Sequence, residues 1–578
     1  MSWKMKHQIP MGMLLSIALG LIVLLPIFSI LWLALGAENT QWSHLFATVL
    51  PRYLRNSLIL MAGVGGLSMV LGTGLAFVVT HLEFPGRKVI QYALFLPLAM
   101  PAFVAAYSWV ELLEFAGPVQ SFMRALMSWN SSRDYWFPNI RSLPGAILVL
   151  SLTLYPYVYL LARASFKELP ASGQDAARTL GLGFAQQFLR VALPQARPAI
   201  AAGTAIVMME TINDFGTVDY FAVQTLTTGI FSLWLESYNA GAAAQLACFA
   251  VMIVAALLLV EKIGRKGARF NKSGRQVARI HPQIPQIGIA YVSLAFCVLP
   301  ILLGFAVPLF VLIEPTLTGG AFWGGISLWR AALHSLMLGG VSSILVVTLA
   351  GIMVVGFQGR QQRWRRHAIS STTLGYAFPG AVLGLGILLP LAAFDNWFAD
   401  RVLEVFGIDP GLLLTGSAAA LVIAYFVRFF AIGVGAAEAG LSSISSNIPA
   451  AARSLGAGKK KLVWRIYQPL MRGSLGSALV LVFVDSLKEL PATLLLRPFN
   501  FETLSTHIYG QASLENFNGA APGALLIVFF SLGDIIFDLF SSPPIILSTA
   551  SRKSCFSTCF FDFLAAINAA SLQTFAIS

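Results

Sequence analysis

Two pairs of acidic residues raise the first chemical question. Glu210 and Asp214 stand four apart inside an apolar stretch, and Asp485 and Glu489 repeat that spacing 275 positions later. On a helix, residues i and i+4 share a face. Carboxylates within a membrane are costly, so they face the protein interior or a water-filled cavity. Such oxygen ligands on two helices suit a small, highly charged cation. Lys488, beside Glu489, argues against a simple cation cage, and a structural ion pair or a helix-end charge is the alternative. No metal centre is assigned to these residues. The four cysteines, Cys248, Cys297, Cys555 and Cys559, lack zinc-site spacing, and no nucleophile-and-base set is present. The stretch GAGKKKL at Gly456 mimics the end of a phosphate loop but lacks its first glycine and its final Ser/Thr. The chain is therefore not expected to be an enzyme, and no cofactor is expected in it.

The second signal is a polar passage written twice. DAARTLGLGFAQQFLRVALP runs from Asp175 to Pro194, and AAARSLGAGKKKLVWRIYQP from Ala450 to Pro469. In the first copy Ser172 and Asp175 are spaced as a capping box, and the acid complements the positive end of the helix. Ala176 and Ala177 form helix with little bulk, and Gly181 predicts a left-handed stop. A second amphipathic piece follows, which Pro194 is expected to end. In the second copy Asn447 stands at the cap and Pro449 in the first turn. Ala450 replaces the acid, while Ala451, Ala452, Gly456 and Pro469 persist. A short helix with a small-residue face outside the membrane suits a groove in another protein. The bland alternative is an ordinary loop, but two copies of Ala-Ala-x-x-x-Gly, each separated by nine residues from Val191 or Ile466, favour docking.

The elements that must position these residues cross a membrane. Of 578 residues 57% are hydrophobic and 11% charged, against about 25% charged in soluble domains. A crossing helix needs about 20 apolar residues. Twelve runs qualify: Met11–Leu35, Ser57–Thr80, Val89–Leu113, Leu143–Ala164, Pro198–Phe215 and Ala240–Val260, then Ile287–Leu312, Ser335–Gly356, Ser370–Phe394, Leu413–Ala436, Ser474–Leu490 and Ala521–Leu539. The fold class is thus an all-α polytopic membrane protein of about 12 helices. Pro101 and Pro379 match as prolines inside the third and ninth helices. The net charge of +13 lies in alternate loops, and residues 218–239 hold no Lys or Arg. That positive-inside pattern places both termini and both polar passages in the cytoplasm and excludes a nucleic-acid role.

The first run is too long for a signal peptide and has no cleavage site. The domain reading is a first repeat over 1–260, a basic linker over 261–283, a second repeat over 284–545 and an atypical tail over 546–578. Both repeats start on the same side, so they are parallel repeats about an axis along the membrane normal. The linker reads as a solvated positive-inside loop, with anionic lipid as the alternative partner.

The doubled passage resembles the Glu-Ala-Ala signature of inner-membrane permeases from binding-protein-dependent ABC importers. Asp175, Ala176, Ala177, Gly181, Val191, Leu193 and Pro194 match it, as do Ala450, Ala451, Ala452, Gly456, Ile466 and Pro469. Asp175 and Ala450 both depart from its leading Glu. The resemblance implies the type I importer permease fold, with both passages as coupling helices. It also implies two copies of a cytoplasmic ATPase that uses ATP and Mg, a periplasmic binding protein, and a bacterial inner membrane around the chain. The doubled length, DSLKELPATLLLRPFNFETLSTHIYGQAS at Asp485–Ser513 and ETINDFGTVDYF at Glu210–Phe221 look like iron(III) importer permeases. Thiamine, polyamine, sulfate and phosphonate permeases are the alternatives, with a secondary transporter further off.

Overall fold

The computed structural model describes residues 11–36, 45–169, 171–264, 282–318, 326–356, 369, 372, 375–376, 378–445 and 447–541. The N-terminal basic residues, most of the linker, the tail 546–578, Cys555 and Cys559 lie outside them. Among the described residues the regular structure is helical, with one isolated bridge between Leu82 and Gln283.

The first series runs α1 (Met11–Gly36), α2 (Leu50–His81), α3 (Ala102–Leu113), α4 (Leu143–Lys167), α5 (Ala171–Thr179), α6 (Leu193–Asn213), α7 (Gly216–Tyr220), α8 (Leu226–Phe231) and α9 (Ala240–Gly264). The second runs α10 (Ile287–Ile301), α11 (Val307–Thr318), α12 (Ile326–Gly356), α13 (Gly380–Phe406), α14 (Ala418–Ser442), α15 (Asn447–Ser454), α16 (Gln468–Lys488), α17 (Pro491–Leu496), α18 (Leu504–Ser513) and α19 (Phe517–Ser541). Ten helices among the described residues are long and apolar enough to cross a membrane. Arg87–Ala99 with Ala102–Met127 makes an eleventh if the two, bent by 89°, form one span. The last expected run falls in α19, whose described apolar part, Phe517–Gly533, is shorter than a span. The molecule is an all-α multi-pass membrane protein.

Two expected runs are corrected by their prolines. The Val89–Leu113 run is broken, because Pro101 sits before α3 with φ −58° and ψ 138°, and Met100 before it is extended. A residue preceding proline is pushed out of the helical region, and proline supplies no N–H to continue the ladder. The carbonyls freed near that break are not orphaned. Tyr159 donates to Gln91 O at 2.9 Å and Tyr155 to Leu94 O at 3.2 Å, both from α4. Pro379 repeats the geometry, φ −53° and ψ 139°, immediately before α13. Both prolines start helices rather than lie within them; of the expected Ser370–Phe394 run, the part after Pro379 belongs to a helix over Gly380–Phe406, and residues 370, 371, 373, 374 and 377 lie outside the described ones. That helix holds a buried carboxylate, Asp395, because the N–H groups of Leu414 and Thr415 donate to it at 3.0 and 2.6 Å.

The described helices form two compact units, each interleaved in sequence. Of the described residues, one joins those within 11–35, 333–501 and 536–541. In it α14 is buried along most of its length. α1 belongs to this unit through Pro26, which lies so close to Gly386 of α13 that a Cβ there would meet Pro26 O at 2.5 Å. The other unit joins Gly36–Ala332 and Glu502–Ile535. Its centre is α4, against which Gly72 of α2 and Gly203 of α6 both close on Val158. Small residues at such crossings let backbones approach where lipid supplies no hydrophobic drive between helices. Outward-facing Phe28, Trp32, Val70, Phe310 and Phe529 are exposed, as a lipid-facing surface requires.

Candidate functional site

The doubled polar passage folds into the same device twice. In copy one α5 ends with Gly181 at φ +75°, and in copy two α15 ends with Gly456 at φ +79°. Leu182 N–H donates to Ala177 O at 3.0 Å and Gly181 N–H to Arg178 O at 2.9 Å. Ala457 N–H donates to Ala452 O at 3.0 Å and Gly456 N–H to Arg453 O at 3.0 Å. These pairs are Schellman closures, which need a residue at ease in the left-handed region. The second alanine of each motif, Ala177 or Ala452, therefore supplies a carbonyl to the closure.

The start of α5 differs from the capping-box expectation. The helix already includes Ala171, so Ser172 lies inside its first turn. Asp175 instead faces Arg178, one turn on, at 3.7 Å, and its side chain is 66% exposed. In copy two Asn447 is the first helical residue, and its N–H donates to Ser445 Oγ at 3.4 Å. Pro449 is in the first turn as expected, and it is buried. Ala176, Ala450 and Ala451 are exposed, Ala177 is buried and Ala452 half-buried. Sequence reasoning missed Leu180 and Leu455, which precede the two glycines. They are 79% and 86% exposed, so each device presents one large apolar side chain beside its small ones. The signal was the shared Leu-Gly at an offset of 275.

Pro194 and Pro469 do not end the second amphipathic piece. In both copies a π turn, Phe188–Ala192 or Val463–Tyr467, precedes the proline and joins it to α6 or α16. Leu193 N–H reaches Phe188 O and Gln468 N–H reaches Val463 O, five residues back. A proline in a plain α-helix clashes with the carbonyl four residues behind and leaves it unbonded; widening the turn accommodates that misfit. The amphipathic piece and the membrane helix are therefore one continuous rod, 184–213 and 460–488.

At the far end of each rod the acidic pair divides. Glu210 and Asp485 lie within α6 and α16 and are half-buried. Asp214 and Glu489 follow the last helical residue and act on the next short helix. Asp214 accepts from the N–H groups of Thr217 and Val218 at 3.0 and 3.2 Å, and from the Thr217 hydroxyl at 3.0 Å. Glu489 accepts from Ala492 N–H at 3.1 Å and pairs with Arg428 of α14, Nε to Oε2 3.0 Å. Each thus satisfies first-turn donors, as a cap does. The pair in copy two includes a buried salt bridge, whereas copy one places Thr153 at the position of Arg428.

A second repeated element went unread. Gln224–Phe231 and Glu502–Tyr509 share Thr-Leu-x-Thr, and both fold as reciprocal capping boxes, Thr225 with Thr228 and Thr503 with Thr506. In the unit that holds both, Tyr509 Oη donates to Asp219 Oδ2 at 2.8 Å. Tyr107 packs edge-on against Tyr220, with ring centroids 4.3 Å apart. Glu114 pairs with Arg141 at 3.0 Å, and the Arg141 guanidinium lies over the Tyr220 ring. Cys248 is half-buried and Cys297 buried, both inside helices. Among the described residues no group of three or more His, Cys, Asp or Glu could hold a metal ion.

Comparison with known proteins agrees with this architecture. Residues 68–266 match the family model described as binding-protein-dependent transport system inner membrane component. An Fe(3+)-transport system permease protein of Haemophilus influenzae is 27% identical over 90% of this chain and 96% of its own length. A ferric transport system permease protein of Actinobacillus pleuropneumoniae is 23% identical over 87% of this chain and 73% of its own. A sulfate transport system permease protein of Salmonella typhimurium is 28% identical over 35% of this chain and 71% of its own length. Residues 68–266 thus match the binding-protein-dependent inner-membrane-component family, and the chain is similar to iron(III) transport permeases along nearly its whole length.

Proposed function

We propose that this chain is the translocation subunit of an ATP-driven importer of ferric iron. The observation that carries the reading is similarity to iron(III) permeases along nearly the whole chain, where the sulfate relative matches about a third. In this reading α5 and α15 are coupling helices. Asp175, Ala176, Ala177 and Gly181, with Ala450, Ala451, Ala452 and Gly456, form the faces offered to two copies of a cytoplasmic ATPase. ATP and Mg act on that partner and not on this chain. Exposed Leu180 and Leu455 fit a docking role, because each stands beside the small residues of its device as a large apolar anchor for a partner's groove.

The rods supply the mechanical link. Pro194 and Pro469, seated behind π turns, let each amphipathic piece continue straight into α6 or α16. A displacement of α5 or α15 then passes through the short turn at 180–183 or 455–458 and along the rod to Glu210 or Asp485. Glu210 and Asp485 are the path residues; Asp214 and Glu489 hold the short helices that follow. Carboxylate and phenol oxygens near α7 and α18 suit a hard cation and repel oxyanions. The termini and coupling helices face the cytoplasm, and a periplasmic binding protein delivers substrate to the opposite side. The two sequence repeats, 1–260 and 284–545, supply one coupling helix each.

The test is reconstitution of the full chain with its ATPase and binding protein in proteoliposomes, loading the binding protein with radioactive iron(III). ATP-dependent iron accumulation is expected. Accumulation without ATP would overturn the pump, and ATP-dependent uptake of sulfate instead of iron would move the substrate to the oxyanion class.

A further inference from the structure

The linker between the repeats returns to the described structure at Pro282, and its next residue is held on every side. Gln283 N–H donates to His81 O at 2.8 Å, and Glu83 N–H donates to Gln283 O at 2.8 Å, forming the lone β-bridge. The backbone of Gln283 is thereby fastened to the end of α2. Its side chain reaches the other way. With the amide oxygen turned toward the guanidinium, it accepts from Arg178 Nη2 at 2.6 Å and Nε at 2.9 Å. Arg178 is on α5, and its remaining edge faces Asp175 at 3.7 Å. An oxygen that takes two donors of one guanidinium fixes the plane of that group as well as its distance.

The platform beneath is stiff. Arg87 ties the end of α2 by donating from Nε to Val79 O and from Nη1 to Glu83 Oε2, both at 2.7 Å. Phe77 of α2 packs on Phe184 and Phe188, the start of the rod that follows α5, with centroids 4.8 and 4.7 Å away. His81 is buried against Phe77 and Phe166. A brace from Gln283 to Arg178 therefore sets α5 against a body that already grips the rod. At the matching position of α15, Arg453 is exposed and has Ala450 where Arg178 has Asp175.

We propose that Gln283 is a positioning residue for the first coupling helix: through Arg178 it acts as a strut that holds α5 at the angle at which it meets its partner. The proposal rests on the coupling-helix reading only for its effect on transport; the strut itself is tested without the ATPase. Amide exchange over residues 171–182 is measured in the full chain in nanodiscs for wild type, Gln283→Leu, Gln283→Glu and Arg178→Lys. Loss of a hydrogen bond to a charged group is expected to lower protection of α5 about tenfold in Gln283→Leu, while Gln283→Glu, which keeps an acceptor, restores it. Arg178→Lys loses the fork and falls between. Equal protection in all four proteins would overturn the strut. In reconstituted transporter the substrate moved per ATP is then expected to fall in Gln283→Leu and to recover in Gln283→Glu. Lower protection with an unchanged ratio would overturn the positioning role. If α5 is not a coupling helix, Gly181→Val would retain both ATPase capture and uptake, a result that leaves the exchange experiment untouched.

Discussion

Tyr509 donates its phenolic proton to Asp219 across 290 positions of sequence, at 2.8 Å. The bond joins the short helix after α6 to the capping-box helix after α17, so material from both repeats meets inside one compact unit. Phe215 packs on the same Tyr509 ring with centroids 5.7 Å apart. Burial pushes the Asp219 carboxyl above its ordinary value, the Tyr509 hydrogen bond pulls it back, and Glu236 pushes it up again. The phenol therefore opposes the burial that favours the protonated acid.

The pH dependence follows from that balance. A carboxyl raised by burial is protonated, and lost as an anion, when pH falls through its folded value. Tyr509→Phe removes the stabilising donor and leaves burial and Glu236 unopposed, so the Asp219 value rises further. Uptake that needs the anion should then fail at higher pH in Tyr509→Phe than in wild type. Uptake measured against external pH checks this, and coincident profiles would show that uptake does not need the Asp219 anion.

The two motif glycines should be sensitive for a conformational reason alone. A Cβ at Gly181 or Gly456 meets nothing within 4 Å, yet both have positive φ. Alanine in the left-handed region costs about 1–2 kcal/mol, enough to unwind the Schellman end of a helix this short. Gly183 at φ −67° and Gly458 also have open space but no positive φ, so alanine there should be silent. Uptake and ATPase capture of the four single alanine variants make the comparison.

Much of this device was legible, and its limits have physical causes. Gly181 and Gly456 read as left-handed stops because a small-residue helix ran into each, and the offset of 275 tied them together. Pro194 read as a stop because proline breaks plain α-helix. What sequence does not display is that a π turn can accommodate the ring and keep the rod whole. Pro101 and Pro379 read as interior residues because apolar runs continue through them, and hydropathy does not register the missing N–H. Asp214 and Glu489 looked like partners of Glu210 and Asp485 by spacing, but the helix ends between the members of each pair, so the second acid serves the next helix. The Thr-Leu-x-Thr boxes share the offset of 278 that pairs Pro101 with Pro379, but escaped because a short run of hydroxyl residues carries no charge or glycine to mark it as a cap. The grouping of α1 with Leu333–Phe501 depends on contacts far apart in sequence, which no local pattern records.

Leu180 and Leu455 carry a prediction that separates docking from stability. Both are exposed and neither is needed for the Schellman bonds, so Leu180→Ala and Leu455→Ala should leave thermal unfolding within about 0.5 kcal/mol of wild type, as surface changes usually do. Their effect should fall on association, because apolar anchors at the centre of an interface often cost about 2 kcal/mol or more when truncated. Co-purification of the ATPase should weaken in each single variant and be lost in the double. Full capture by the double variant would take the leucines out of the interface.

Arg428 and Glu489 test what the acid at the end of α16 is for. Their side chains are 9% and 4% exposed, with Nε and Oε2 3.0 Å apart. Removing one partner of a buried pair strands the other charge and costs about 3–5 kcal/mol, whereas replacing both with apolar or neutral groups can be close to neutral. Arg428→Met alone should therefore destabilise the chain strongly, and Arg428→Met with Glu489→Gln should recover most of the loss. Because glutamine keeps an oxygen for Ala492 N–H, the start of α17 should survive in the double variant. Thermal unfolding in detergent, read beside iron uptake, distinguishes the roles. A double variant that is stable and transports shows Glu489 to be an architectural cap, and one that is stable but inactive returns it to the path beside Asp485.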